Sequence, residues 1–197
     1  QINNTQETNE FVNGLMGYVR LMKEPGYRPP TEIELWMNNA YSISLQSSCI
    51  KRKVGAVIVK KGYVVAAGKN NPPSEEKTCK EAYGDQCYRD ILKNDIKFCP
   101  VCGKDLNEDF SCKDIDCKYN ENDLLKLFDK CRSLHAEESA ILQAASLGGT
   151  SLENSLIYTT TFPCRLCANK IIAVGIKEVV FVEAYADQDS VNFLNKS

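Results

Sequence analysis

The chain has 197 residues, which suits one domain carrying an insertion. Hydrophobic residues make up 43% of it, ample for a packed core, and a net charge of −2 leaves no electrostatic footprint for a polynucleotide partner. The longest apolar runs, such as Val54 to Val59, are far too short to span a bilayer, so no membrane partner is expected.

Residues 1–10 are polar, and Phe11 to Met22 then carries apolar residues at roughly helical spacing before Pro25, Gly26, Pro29 and Pro30 break it. Residues 1–30 therefore read as an arm or linker, and 31–197 as the main domain. Thr31 with Glu34 has the form of a capping box and opens a helix with Ile33, Leu35, Trp36, Ala40, Ile43 and Leu45 on its apolar stripe. Lys51 to Lys53 is a basic turn. Val54 to Val59 is a continuous apolar run, as in a strand buried on both faces. Lys60 to Gly62 turns the chain, and Tyr63 to Ala67 returns as its hairpin partner.

Residues 74–120 interrupt this pattern with charge, cysteine and little periodicity. A structureless loop of that length is improbable in a compact domain, whereas a metal-stabilised unit is not. Cys99, Cys102, Cys112 and Cys117 have the spacing C-x2-C-x9-C-x4-C, which fits a closed four-thiolate zinc site. Leu124 to Phe128 reads as a short helix. Ser133 is a candidate N-cap for a helix running to about Leu147, stopped by Gly148-Gly149. A strand over 155–160, a helix over 164–174 ended by Gly175, a strand over 177–183 and a final helix from Asp189 to Leu194 complete the order. This order predicts an α/β protein of three layers, α/β/α, around a mixed sheet, with an antiparallel hairpin and later parallel pairing.

Two short stretches organise this frame. One is His135-Ala136-Glu137, and the other is Pro163-Cys164-Arg165-Leu166-Cys167. His135 is the only histidine, and with Cys164 and Cys167 it supplies three metal ligands, the number that leaves a catalytic zinc its fourth position for water. Two residues apart on a continuous helix, His135 and Glu137 would point to nearly opposite sides. The pattern therefore requires a helix N-terminus with the metal off its end. Pro163 suits the opening of a second helix, and Cys164 and Cys167 share a face across its first turn. Helix N-termini stabilise the thiolates that zinc needs.

The chain has ten cysteines, and the Cys-x-x-Cys spacings favour a reduced, cytoplasmic protein over a secreted disulfide framework. Cys49, Cys79, Cys87 and Cys131 stay open between a further thiolate site and small buried apolar residues.

His-x-Glu followed by Pro-Cys-x-x-Cys is the zinc deaminase signature. From about Thr31 to Leu194 the chain resembles the zinc-dependent deoxycytidylate deaminase family. It does so through Cys49 to Val59, Gly68-Lys69-Asn70, the two zinc stretches, and Gly175-Ile176 through Val179 to Tyr185. The run Tyr158 to Cys164 most resembles the deaminase domain of bacterial anti-phage dCTP deaminases. Those carry a P-loop domain, and no G-x-x-x-x-G-K-[ST] occurs here. The opening on Gln1 and the end at Ser197, where the family adds a strand, read as part of a longer protein.

The resemblance implies a cytidine deaminase-like fold and a homo-oligomer. It also implies hydrolytic deamination of a small-molecule deoxynucleotide, dCMP or dCTP, to the deoxyuridine nucleotide plus ammonia, serving phage defence by nucleotide depletion. Zn2+ would be the cofactor, one ion catalytic and at least one structural. Water would attack C4 of cytosine with Glu137 as proton shuttle. The Ala136 N–H would hold the base carbonyl, Asn70 the sugar, and Tyr185 would lie near the nucleotide. Lys51, Arg52, Lys53 and Arg165 are the cations placed to meet phosphate. Two departures stand out: Asn71 where the family places Gly, and Ala186-Asp187 where dCTP-type proteins often carry Lys. Two other readings compete, a tRNA or polynucleotide base deaminase and a binding module with a vestigial site. The acidic balance opposes the first and the intact Glu137 the second.

Overall fold

A computed structural model describes residues 8–95, 97, 99, 101–107, 111–118, 131–183 and 194. The expected helices over 124–128 and 189–194 fall on segments outside these, apart from Leu194. In chain order the described elements are α1 (Thr8–Lys23), α2 (Glu32–Leu45), β1 (Gly55–Lys60), β2 (Tyr63–Lys69), α3 (Cys79–Tyr83) and α4 (Tyr88–Asp95). Then follow α5 (Ala136–Ser146), β3 (Leu156–Thr161), α6 (Arg165–Ala173) and β4 (Glu178–Glu183).

The sheet order is β2-β1-β3-β4. β1 is antiparallel to β2 and to β3, and β3 is parallel to β4, so the sheet is mixed. The β1–β2 turn places Lys61 at φ 52° and Gly62 at φ 77°, two consecutive left-handed residues that match the twist of a tight hairpin.

β1 lies inside the sheet, and its side chains alternate between two cores. Ala56 and Ile58 pack with Ala136, Ala140 and Ala144 of α5 and Ile171 of α6. Val57 and Val59 pack with Met37 and Ala40 of α2 and with Tyr158. α2 therefore covers one face and α5 with α6 the other, giving the three layers. Successive side chains of a strand point to opposite faces, which is why one continuous apolar run serves both cores.

α2 starts where expected. Glu34 N donates to Thr31 Oγ1 at 3.2 Å and Thr31 N donates to Glu34 Oε2 at 2.8 Å, a complete capping box. Arg28 adds a forked pair of bonds to Glu34 at 2.8 and 2.7 Å. That guanidinium, with the Thr31 backbone N–H, holds the Glu34 carboxyl down at about 2.

Gly68 positions the catalytic layer. A Cβ there would stand 2.2 Å from Ala136 O and 2.3 Å from Ala140 N, both backbone atoms of α5. Only glycine lets β2 and α5 approach this closely. On the outer edge of β2, Ala67 N donates to Gln143 Oε1 of α5 at 2.7 Å.

Three boundaries differ from the sequence reading. His135, not Ser133, is the N-cap of α5, in extended backbone at φ −75° and ψ 156°. Pro163 precedes the second helix instead of opening it, because Cys164 is the N-cap of α6. The segment 74–120 is not irregular throughout. Thr78 and Glu81 form a second capping box that starts α3, and α4 follows. Apolar periodicity cannot announce helices of 5 and 8 residues.

Candidate metal centre and substrate cleft

Two helix N-termini converge on one point. His135 ends the approach to α5, and Cys164 and Cys167 sit at the N-cap and third position of α6. His135 Nδ1 is 3.4 Å from Cys164 Sγ and 3.4 Å from Cys167 Sγ. With zinc–sulfur and zinc–nitrogen bonds of about 2.3 and 2.0 Å, tetrahedral ligands lie roughly 3.6 Å apart. The three atoms thus fit one zinc ion, and Nδ1 is the nitrogen that faces it. Cys164 is half-buried and Cys167 is 1% exposed.

The thiols share one negative charge. Cys164 is pulled down to about 3, chiefly by the Cys167 thiol and further by His135. Cys167 is pushed up because its thiol already bonds that thiolate, and burial adds to the shift. The Cys164 thiolate also raises His135. A cation would replace these protons and satisfy all three atoms.

Glu137, at the second position of α5, is 4% exposed, and burial pushes its carboxyl above the ordinary range. It is not part of the ligand group. Glu138, next to it, forms an ion pair at 2.5 Å with Lys170, which ties α5 to α6 on either side of the ligands. Exposed pairs of this kind contribute little energy, so its effect is alignment.

These residues open into a cleft of about 290 Å³ whose wall includes Asn70, Ala136, Glu137, Lys51, Arg52, Arg89 and Phe162. A groove of about 770 Å³ between α2 and β4 is larger, but its lining holds no His or Cys. The smaller cleft holds the chemistry. Phe162, 7% exposed, meets Phe181 edge-on with ring centroids 4.8 Å apart, which steadies the wall.

Asn70 is largely committed to the scaffold. Its Oδ1 accepts from Ser47 Oγ at 2.7 Å and from Val54 N at 2.8 Å, and its Nδ2 donates to Arg52 O at 2.7 Å. An amide side chain has two lone pairs and two N–H groups, so one N–H remains for a ligand. Asn71 acts alongside it. Its Oδ1 accepts from Ser48 N at 2.8 Å, and its carbonyl accepts from Leu134 N at 2.9 Å. Together the two asparagines lace the basic turn and the approach to His135 onto the end of β2. A polar side chain at position 71 thus does work that glycine could not.

Of the four cations read from sequence, Lys51 and Arg52 border the cleft. Lys51 pairs with Asp90 at 2.5 Å, and Arg52 pairs with Glu183. Lys53 Nζ instead bonds Leu45 O at 3.3 Å, and Arg165, exposed in the first turn of α6, is not in the wall. Tyr185 lies outside the described residues. Arg89 is the wall residue that sequence reasoning missed. It stands on α4, where Tyr88, Ile91 and Leu92 are too few apolar residues to announce a helix of 8 residues.

Cys99, Cys102, Cys112 and Cys117 form a second group. Cys99 Sγ is 3.7 Å from Cys117 Sγ, and Cys102 Sγ is 3.4 Å from Cys112 Sγ, near the roughly 3.8 Å expected around one zinc. Burial raises the Cys99 thiol, but the backbone N–H groups of Cys102 and Val101 outweigh it and hold the thiol at about 7. Gly103, at φ 72°, completes that turn. Cys49, Cys87 and Cys131 border the cleft, and Cys79 opens α3. Among the described residues these four are in neither ligand group.

Fold and site together are those of the cytidine deaminase-like class, with a three-residue ligand group that fits zinc. The model of the cytidine and deoxycytidylate deaminase zinc-binding region matches residues 30–183, and the chain belongs to that family. It is 33% identical over 156 residues to the deoxycytidylate deaminase of Enterobacteria phage T4, covering 74% of this chain and 75% of that one. It is 30% identical over 167 residues to the deoxycytidylate deaminase of Schizosaccharomyces pombe, covering 84% of this chain but only 41% of that protein. Of the solved structures, the dCMP deaminase of cyanophage S-TIM5 shares the fold at a TM-score of 0.54 and 24% identity, over 86% of this chain and 94% of that one.

Proposed function

We propose that this protein deaminates a free deoxycytidine nucleotide, dCMP or dCTP, to the deoxyuridine nucleotide and ammonia. The carrying observation is a buried carboxylic acid, Glu137, in the same cleft wall as a three-ligand group that fits zinc. His135, Cys164 and Cys167 would hold the ion. Zinc, when bound, supplies Lewis acidity that brings the pKa of water toward 7.

Glu137 takes a proton from the attacking water as its oxygen bonds to C4 of the ring. It delivers that proton to the ring nitrogen, then takes the remaining proton of the C4 hydroxyl and passes it to the amino group, so that C4=O forms as the C4–N bond breaks and ammonia leaves. A carboxyl whose pKa is raised by burial can serve as both base and acid in one cycle. The Ala136 N–H, in the first turn of α5, would donate to the base carbonyl. The one remaining N–H of Asn70 donates to the sugar. The small cleft and the acidic balance of the chain favour a free nucleotide over cytosine in a polymer. A second zinc, bound by Cys99, Cys102, Cys112 and Cys117, holds the cysteine-rich segment folded.

Ammonia release from dCMP, dCTP, cytidine and a tRNA substrate, assayed side by side, tests this. Turnover of a deoxynucleotide with none on tRNA is expected. Turnover confined to tRNA, or uracil formation in single-stranded DNA with none from dCMP or dCTP, overturns the reading.

A further inference from the structure

The cleft carries three cations, Lys51, Arg52 and Arg89, and one carboxylate, Glu137. Asp90 and Glu183 pair with the first two, so much of their charge is answered within the protein. Lys51 and Arg52 come from the basic turn before β1. Arg89 comes from the cysteine-rich segment, and the residues on either side of it in sequence are both held. Tyr88 stacks on Tyr83 with centroids 5.3 Å apart and planes 17° apart. Arg132 bonds the Tyr83 hydroxyl at 3.1 Å and Glu76 at 2.7 Å, which anchors the stack. Asp90, on the other side, pairs with Lys51 at 2.5 Å.

The neighbours of Arg89 are thus held while its own side chain borders the cleft. Arg89 borders the same cleft as His135 and Glu137, so an anionic group on a ligand held there would come within its reach. A guanidinium presents a fork that matches two oxygens of a phosphate, whereas an ammonium is a point charge.

We infer that Arg89 is a specificity residue that binds the phosphate of the nucleotide, so that the cysteine-rich segment reads phosphorylation while the zinc centre reads the base. This rests on the nucleotide-deaminase reading above. It assigns to α4 the phosphate contact for which Arg165 is not positioned.

The test uses zinc-loaded protein and the reaction products, whose binding needs no turnover. Calorimetric titration with deoxyuridine, dUMP and dUTP gives three dissociation constants for the wild type, Arg89→Gln and Arg89→Lys. Hydrogen bonds to charged groups support an expected loss of about tenfold to hundredfold in dUMP affinity for Arg89→Gln, with deoxyuridine affinity moving less than about twofold. Arg89→Lys should fall between. The dUMP and dUTP arms show whether the residue grips the first phosphate or the outer ones, since only the second case spares dUMP and weakens dUTP. Equal losses for deoxyuridine and both nucleotides would make Arg89 structural and overturn the inference, as would unchanged affinities for all three. If wild-type protein binds none of the three and releases no ammonia from dCMP, dCTP or cytidine, the nucleotide-deaminase reading itself falls. If the wild type is active and only the Arg89 arms fail, that reading survives.

Discussion

The two ligand groups use the same thiol chemistry and depend on their surroundings in opposite ways. His135, Cys164 and Cys167 stand at the ends of helices whose other side chains fill the core, with Ala136, Ala140, Ala168 and Ile171 all at or below 1% exposure. There the packed fold sets the ligand positions. Cys99, Cys102, Cys112 and Cys117 stand on turns with almost no core. Val101 is 61% exposed and Ile115 is 97% exposed, and the isolated strand-like bridge among the described residues of these turns joins Leu106 to Cys112. There the ion must set the fold. The contrast teaches that a ligand count does not reveal what a metal does. The amount of apolar packing beneath the ligands does.

Loss of the proposed second zinc should give the largest effect. Structural zinc supplies about 10–16 kcal/mol in small peptide domains at pH 7, far more than these turns can otherwise gather. Cys102→Ser is therefore expected to lower bound zinc from two ions per chain to one and to open residues 97–118 to protease. Metal analysis with limited proteolysis checks both, and the contrast breaks if the variant keeps two ions and full protection. Next, Glu137→Gln should keep both ions and the melting temperature while cutting kcat by about 10²–10⁴-fold, the usual contribution of a positioned acid–base group. Near-normal turnover by a zinc-loaded variant would remove Glu137 from the mechanism.

Gly68→Ala sharpens the comparison from the other direction. Its new methyl meets backbone, so α5 must shift, at a cost of about 1–3 kcal/mol. Denaturant melts should show that loss, and zinc binding should weaken at His135 but not at Cys99. Equal weakening at both would mean that the two groups are not independently supported.

Glu34→Gln, remote from both groups, should do least. The folded carboxyl lies near 2, below its ordinary 4.5. Its contribution is thus fully present above about pH 4.5 and is lost as pH falls toward 2. The pair is partly exposed, with side chains at 31% and 27%, so solvent screening limits the loss to about 1 kcal/mol at pH 7. That corresponds to roughly 2–4 °C in Tm for a chain of this size. Thermal melts at pH 7 and near pH 2.5 check it, since the difference from wild type should shrink at the lower pH.

The sequence made the catalytic core legible for physical reasons. Burial on two faces wrote an unbroken apolar run into β1, and the capping box wrote the start of α2. A His and a Glu two residues apart could work together only at a helix end, which is where His135 stands. The less legible features depend on contacts distant in sequence. Ser133 has the chemistry of an N-cap, but the helix begins two residues later, at a residue whose side chain bonds sulfur instead of backbone. Asn70 reads as a ligand-binding asparagine, yet three of its four hydrogen-bonding positions belong to Ser47, Val54 and Arg52. Arg89 gave little signal, because the apolar spacing of Tyr88, Ile91 and Leu92 covers barely one turn of an 8-residue helix.

The bond from Ala67 to Gln143 has a consequence for solubility. β2 is an outer strand of the sheet, and an outer strand offers its free backbone groups to any passing chain. α5, which carries His135 and Glu137, occupies one of those groups through Gln143 and lies against the strand at Gly68. The helix that serves catalysis also guards the sheet against self-association. A mutation that loosens α5 would then uncover this strand edge as well as disturb the His135 ligand group.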